Sequence, residues 1–451
     1  MRQTGLSKRE RVLVPLAILG TLAAVVAVVA ISMSSRDLDA PPNTSDLMLD
    51  RVEVADGPNA YTHFNAAVEA LDWPADRSDE QKLIYQIIEG EKKDPPFVED
   101  LVARNRRAIA LVERGLRCRV CQPPAMTRIF DLQPHNITWR TLIHLLEFKM
   151  IQEQERGQYA FAARTCCDLI RFGDLMQRNP VDSANYVVGT SFMRGGLVKA
   201  QNLCDVTEIT DADLTRVADT LAQIEPLDRG LIRTFKAEYQ MAAAEVDIAF
   251  SKQTKPNAYD LQPNKTKQAL ADFYCDRIEN ASCSWADLNL RTPGEVFRRY
   301  QGVIATATSV NRTGRRLFFM VTESGNAMLE TKCRMQCMVD GTRLIVACRR
   351  YKLDHGGLPP TLDALAPKYL DAVPRDPFDG KPFRYVRGKA IVYAIGMDLI
   401  DSGGSAKPTG KEQIKWDWQH LWFAEDAVLH LHGWSPPTDN HALRVLERTT
   451  H

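Results

Sequence analysis

The sequence predicts a mainly α-helical protein with a small α+β module at its C-terminus. Apolar residues return at three- and four-residue spacing in one segment after another, from about residue 59 to residue 306, and short polar joints separate them. A long helical pattern over 326–353 then stops at His355-Gly356-Gly357-Leu358-Pro359-Pro360, where glycine suits a helix end and the prolines cannot continue one. Beyond it, the β-forming runs 382–386 and 390–395 flank Arg387-Gly388-Lys389, as in a hairpin. At 451 residues the chain has room for two folded units and an anchor. The expected division is a cytoplasmic tip and anchor at 1–35, a linker at 36–55, a helical body at 56–325 and the α+β module at 326–451.

Residues 12–33 carry no charge and are about as long as a helix needs to cross a hydrocarbon core; Arg2, Lys8, Arg9 and Arg11 precede them. Basic flanks stay in the cytoplasm. The expectation is therefore a single-pass bacterial inner-membrane protein, held in the lipid bilayer by 12–33, with the bulk of the chain periplasmic. A cleaved signal peptide ending near Val28-Val29-Ala30 is the rival. Asp39-Ala40-Pro41-Pro42-Asn43-Thr44-Ser45 then suits an extended linker that lifts the body off the membrane.

The body opens with an amphipathic helix over 59–71, stopped by Trp73-Pro74. Further helices are expected over 99–113, 139–154, 160–177, 191–202, 211–224, 231–250, 266–274 and 293–306. Gly157-Gln158-Tyr159-Ala160-Phe161-Ala162 has the Gly-x-Tyr-x-x-Ala turn of tetratricopeptide-like hairpins, but no second copy follows at the required period, so the body reads as an irregular bundle of helical hairpins. In the long helix of the module, Gly341 interrupts the pattern, and Thr361 begins a short helix after it.

Lysine plus arginine and aspartate plus glutamate balance at 57 each, which removes the electrostatic footprint a nucleic acid would need. Ten cysteines in an exported chain raise the question of disulfides. Yet Cys166 and Cys167 are adjacent, and Cys333 and Cys337 lie one helical turn apart, spacings that suit buried thiols with one or two bridges. Cys118-Arg119-Val120-Cys121 has the spacing of a redox pair, half a zinc site or a packing pair; zinc would require a second such pair, and no strand precedes it as a thioredoxin-like motif requires. His420, His430 and His432 crowd the tail, where His430 and His432 alternate as surface residues of a strand would. There is no nucleophile elbow, no His-Glu-x-x-His helix and no phosphate-binding glycine loop, so the sequence nominates no catalytic residue.

One segment carries a family likeness. Arg349-Arg350-Tyr351-Lys352-Leu353-Asp354-His355-Gly356-Gly357-Leu358-Pro359-Pro360, then Val373-Pro374-Arg375-Asp376-Pro377-Phe378-Asp379-Gly380 and Tyr393-Ala394-Ile395-Gly396-Met397-Asp398, resembles the globular half of the major pseudopilin of type II secretion systems. The resemblance implies a long helix followed by a small antiparallel sheet, a structural turn at 376–382, and a Ca2+ loop at 396–404 with Asp398 and Asp401 as ligands and Asp417 as a later contributor. Calcium takes several oxygen ligands, and glycines let carbonyls turn inward. Leu399 stands where that family usually has glycine, and Ser402 where it is often acidic. The loop is thus either a calcium site or an acidic, glycine-rich turn without an ion. No Gly-Phe-Thr-Leu-x-Glu processing site is present, which separates this chain from the pilin subunits themselves. The body also resembles bacterial envelope proteins that join an anchor and a helical body to such a tail, a likeness resting on 59–71, Arg117-Cys118-Arg119 and the Gly157 hairpin and implying no activity.

The function expected from these readings is a membrane-anchored envelope scaffold or interaction protein with an envelope protein partner and no recognisable catalytic site. Two alternatives remain: an envelope enzyme of unknown reaction, and an accessory component of a secretion or pilus-like system. Converging titratable groups in a pocket favour an enzyme; a groove or exposed patch favours a scaffold.

Overall fold

In the computed structural model of the chain the described residues are 19, 21, 24–26, 36–49, 54–74, 78–88, 90–126, 128, 135–252, 260–307, 310–323, 325–409 and 421–431, the side chains of 301–309 excepted. They form helices α1 (Ala60–Glu69), α2 (Asp79–Ile88), α3 (Pro95–Arg104), α4 (Arg106–Leu116), α5 (His135–Glu155), α6 (Tyr159–Arg178), α7 (Ser183–Leu203), α8 (Asp211–Ala222), α9 (Leu227–Ser251), α10 (Pro263–Asn280), α11 (Pro293–Ala307), α12 (Arg312–Thr322) and α13 (Gly325–His355). Strands β1 (Arg384–Val386), β2 (Ile391–Ala394) and β3 (Ala427–His430) complete the fold. The mainly helical reading with a small antiparallel sheet near the C-terminus holds.

Local chemistry sets many of the helix starts. Asn59, Asp94 and Asp182 accept hydrogen bonds from backbone amides at the starts of α1, α3 and α7, and Thr210 with Asp213 forms a reciprocal capping box at α8. Gly157, at φ +70°, turns the chain from α5 into α6, a left-handed conformation that glycine adopts without strain.

The centre of the body is the α6–α7 hairpin, packed so closely that glycine is required at the contact. A Cβ on Gly173 would lie 2.2 Å from Met193 N and 2.5 Å from Gly189 O, and one on Gly196 would lie 2.6 Å from Ile170 N. Phe64 of α1 stacks on Phe172 of α6 with ring centres 4.1 Å apart, and Trp139 of α5 meets Phe64 edge-on at 5.2 Å. A second cluster, around Tyr186, Phe235, Phe273, Tyr274 and Phe318, joins α9, α10 and α12. A third, around Ile84, Leu101, Leu145 and Phe148, holds α2 and α3 to α5.

Helix α13 belongs to the same core as the body. Cys333, Leu344, Ile345 and Cys348 are buried in one cluster with Leu169, Leu197 and Leu214 and with Val392 and Leu429 of the sheet. The sheet order is β1-β2-β3, antiparallel throughout, with Tyr385 opposite Val392 and Tyr393 opposite Val428. Gly341 does not interrupt α13. A Cβ there would lie 2.0 Å from Leu429 Cδ1, so this glycine lets the sheet approach the helix.

Several expectations need correction. Residues 99–113 are two helices, α3 and α4, because the fully buried Asn105 sits at the break: its amide group accepts from Asp72 N at 2.7 Å and donates to Asp72 O and Leu101 O, both at 2.9 Å. Helices α2 and α12 were not expected, and the strand expected at His430 begins earlier, at Ala427. The linker is no free spacer. Asp37 accepts from the Asn264 and Lys265 amides at the start of α10 (2.9 and 2.8 Å), and Leu47 is buried against the second cluster. All ten cysteines are free thiols and seven of them are buried, so the expected bridges do not form.

The membrane expectation is also overturned. Among the described residues no helix is long and apolar enough to cross a membrane, and a crossing needs about 20 consecutive apolar residues in one helix. Of residues 12–33, only Leu19, Thr21 and Ala24 to Val26 are described; the remainder lies outside the described residues. The single-pass inner-membrane location, the bilayer contact and the periplasmic body are therefore not supported.

The Gly173 contact gives a direct test. Gly173→Ala should cost about 2–3 kcal/mol in denaturant unfolding, because the atoms it meets are backbone and cannot swing aside. Gly195→Ala, with nothing within 4 Å, should be neutral or slightly stabilising. Equal stabilities for the two variants would show that α6 and α7 do not pack in this way.

Candidate functional site

A broad concavity of the body lies between α1 and the extended segment that follows α4. Its geometry rests on Asn59. That side chain accepts from Tyr61 N at 3.1 Å, capping α1, and from Gln122 N at 2.9 Å, while its Nδ2 donates to Gln122 O at 2.9 Å. A further bond from Ala60 N to Val120 O (2.8 Å) fastens the segment to the helix start. One amide side chain thus sets the helix and the extended strand as two fixed walls.

The cleft between them is about 760 Å³, with Asp56, Tyr61, Thr62, Asn65 and Glu69 on one side and Gln122, Pro123 and Pro124 on the other. Among its described lining residues there is no lysine, arginine or histidine. Behind the lining, Trp139 Nε1 donates to Asn65 Oδ1 at 2.9 Å, and Tyr61 meets His135 edge-on at 5.2 Å. Burial holds the His135 imidazole down to about 4, so it is neutral at neutral pH. Its Nε2 faces Asn185 Nδ2 at 3.1 Å and therefore acts as the acceptor, which puts the ring proton on Nδ1.

The strongly shifted carboxyls lie elsewhere. Burial pushes Asp168 up to about 6 and Glu238 up to about 7, but neither lines the cleft. Glu238 accepts from Ser183 N at 3.0 Å, so it belongs to the α7–α9 packing. Lys149, Glu153 and the fully buried Thr165 form a hydrogen-bonded set between α5 and α6, at 2.7 and 2.8 Å about the threonine hydroxyl, and this too is internal. The Cys118 and Cys121 thiols are both pushed up by burial, and Cys121 is part of the core, which leaves them as packing residues rather than reactive thiolates.

Asp398 and Asp401 share the loop after β2, as expected, but three of their four carboxylate oxygens are already engaged. Asp398 accepts from Ile400 N at 3.1 Å. Asp401 accepts from Tyr393 OH and Gly403 N, both at 3.0 Å, and its other oxygen lies 3.4 Å from Arg384 Nε. The Gly403 amide is the main cause holding the Asp401 carboxyl below the usual carboxylate range. The organiser of the loop is Asp426, which the sequence reading missed. Fully buried at the start of β3, it accepts from the amides of Ser402, Gly404 and Ser405 at 3.2, 2.9 and 2.9 Å. The backbone here turns N–H groups inward around a carboxylate, which is the polarity of an anion nest, whereas a calcium loop turns carbonyl oxygens inward. The residues present do not fit the expected Ca2+. No group of three or more histidine, cysteine, aspartate or glutamate side chains suited to a metal occurs among the described residues. Asp417, His420 and His432 lie outside the described residues, and His430 is exposed at the end of β3.

The 376–382 turn has a structural role, as expected, and a wider one than the sequence indicated. Phe378 is fully buried, and the turn's Pro377 and Phe378 carbonyls accept from the Trp285 and Ala286 amides at 2.9 and 2.8 Å, tying the module to the body. No family model matches the chain, and no curated protein or solved structure matches it.

Two outcomes follow from this geometry. Asn59→Ala should lose about 2–3 kcal/mol in chemical denaturation, the sum of a helix cap and two buried hydrogen bonds, with Asn59→Asp intermediate because it keeps only the acceptor. A loss under about 0.5 kcal/mol would mean Asn59 does not join the walls. Glu238 sets a pH dependence: its folded form holds the proton more tightly, so its contribution to stability is full below 4.5 and is lost as pH rises through about 7. Glu238→Gln should remove up to about 3 kcal/mol of that fall, read as the difference between the two unfolding curves across the window. Parallel pH profiles would show that the carboxyl is not buried here.

Proposed function

We propose that this chain is an interaction protein whose helical body holds an extended polypeptide segment of a protein partner in the cleft between α1 and residues 122–125. The observation that carries this reading is a roomy concavity with two walls fixed by Asn59, supported from behind by the packed Phe64, Trp139 and Phe172 rings. Amide side chains at Asn65 and Gln122 suit backbone groups of a bound strand, and Tyr61, Pro123 and Pro124 supply flat apolar surface. Asp56 and Glu69, with no lining cation among the described residues, favour a segment bearing lysine or arginine. The C-terminal module, whose sequence motifs resemble the pseudopilin globular half, would serve as a rigid part of the same frame. An enzyme asks for titratable groups converging on a pocket, and the shifted carboxyls Asp168 and Glu238 line no part of this cleft.

Labelled extended peptides of equal length, one lysine-rich, one uncharged and one glutamate-rich, provide the test by fluorescence anisotropy. The lysine-rich peptide should bind, more weakly as salt rises, and Asp56→Asn with Glu69→Gln should lower its affinity about tenfold. Equal binding of all three peptides, or binding of none, would contradict the reading.

A further inference from the structure

Helix α12 has an inner and an outer face of opposite character. Gly314, Phe318 and Thr322, four residues apart, are buried, and a Cβ on Gly314 would run into Asn311 Oδ1 and Thr266 Oγ1. Thr313 N donates to Asp260 O at 2.8 Å, and the Phe318 ring meets Phe273 of α10 and Phe297 of α11 with centres 6.0 and 5.0 Å apart. This face fixes the helix on the body. The outer face carries Arg312, Arg315, Arg316, Phe319, Met320 and Glu323, all exposed and three or four residues apart.

The arginines of that face are poorly supplied with counter-charge. Arg312 Nη2 lies 3.7 Å from Asp260 Oδ1, and among the described residues neither Arg315 nor Arg316 forms an ion pair. The Arg315 guanidinium lies over the Phe319 ring at 5.8 Å, and that ring meets Phe297 at 5.7 Å. Arg298, the residue after Phe297, is exposed on α11. Phe319 and Met320 thus form a small apolar centre with guanidinium groups around it, on a chain whose charges balance overall. An apolar centre with a charged rim is the ordinary composition of a protein interface.

We propose that the outer face of α12 docks an acidic segment of a protein partner, one in which glutamate or aspartate residues flank a leucine or phenylalanine. The carboxylates would pair with Arg312, Arg315 and Arg316, whose planar forks suit them, while the apolar residue covers Phe319 and Met320. A lipid surface is the other anionic partner such a face could meet, but entry into lipid requires apolar side chains that project beyond the arginines. Phe319 is only 36% exposed and is held between Arg315 and Phe297, which leaves Met320 alone to insert. The fixed inner face also means that docking orders little of the helix. The cleft beside Asn59 has the opposite charge, and the inference does not rest on it.

Fluorescence anisotropy with the full chain tests it. The probes are a labelled peptide with a Leu-Phe centre flanked by glutamates, the same peptide with glutamine for every glutamate, and labelled phosphatidylglycerol vesicles. The acidic peptide should bind, more weakly as salt rises, and at least tenfold more tightly than its glutamine counterpart. Arg315→Gln with Arg316→Gln should lower its affinity about tenfold without moving the unfolding midpoint, since both side chains are exposed. Met320→Gln should lower it severalfold, and Asp56→Asn with Glu69→Gln should leave it unchanged, which separates this surface from the cleft. The proposal is overturned if the acidic peptide does not bind, if the glutamine peptide binds as well, or if the arginine variant binds like the wild type. Vesicle capture that the arginine variant loses would overturn it too, by making the partner a lipid. Should the arginine variant fail to fold, the salt dependence and the glutamine peptide still decide.

Discussion

Helix α13 is buried along most of its length, with α7 and α8 packed against it from the body and β2 and β3 from the module. At 31 residues it is about 46 Å long, so it can run through both parts of the fold. The polar residues of a helix buried in that position must find partners inside. Thr342 accepts from Gln201 at 2.8 Å, Arg343 donates to Leu221 O at 2.6 Å and to Asp340 at 2.9 Å, and Lys332 donates to Cys283 O at 2.9 Å. The bonds with Gln201, Leu221 and Cys283 cross from α13 to the body, so the body and the C-terminal module share a single interior.

This shared interior gives the candidate cleft its rigidity. The wall formed by α1 packs on α5 and α6, and α6 is locked to α7 by backbone contacts at Gly173, Gly189 and Gly196 that tolerate no added atom. Helix α7 in turn lies on α13. A segment bound beside Asn59 would therefore meet walls that have little freedom to yield, which lowers the ordering cost of binding. In the module, the partly buried Arg384 and the fully buried Asp426 are likewise supplied with partners.

The helical fold was legible because its signals are local. The periodicity over 139–154, 160–177, 211–224 and 326–353 placed helices to within a few residues, and the glycine turn at 387–389 placed the hairpin. What the sequence hid depends on distant partners. Asn105 breaks a helix because of Asp72, thirty-three residues earlier, and Gly341 reads as an interruption until Leu429 is seen against it. Helices α2 and α12 are only ten and eleven residues long and mix charges with their apolar face, so pattern reading passed over them. In the C-terminal loop the sequence singled out Asp398 and Asp401, the residues a calcium loop would use. Asp426 escaped because nothing in its local pattern shows that three amides twenty or more residues earlier would fold around it. The cleft itself could have been suspected from Asn59, a capping residue at the start of a helical pattern, but not its pairing with Gln122, which requires the fold.

Native-state hydrogen exchange in rising denaturant tests the single interior most directly, by comparing peptides from α7 with peptides covering β2. If α13 joins the body and module into one cooperative unit, both sets should open at the same, global free energy. Exchange of β2 through a separate and lower opening, while α7 stays protected, would contradict the account.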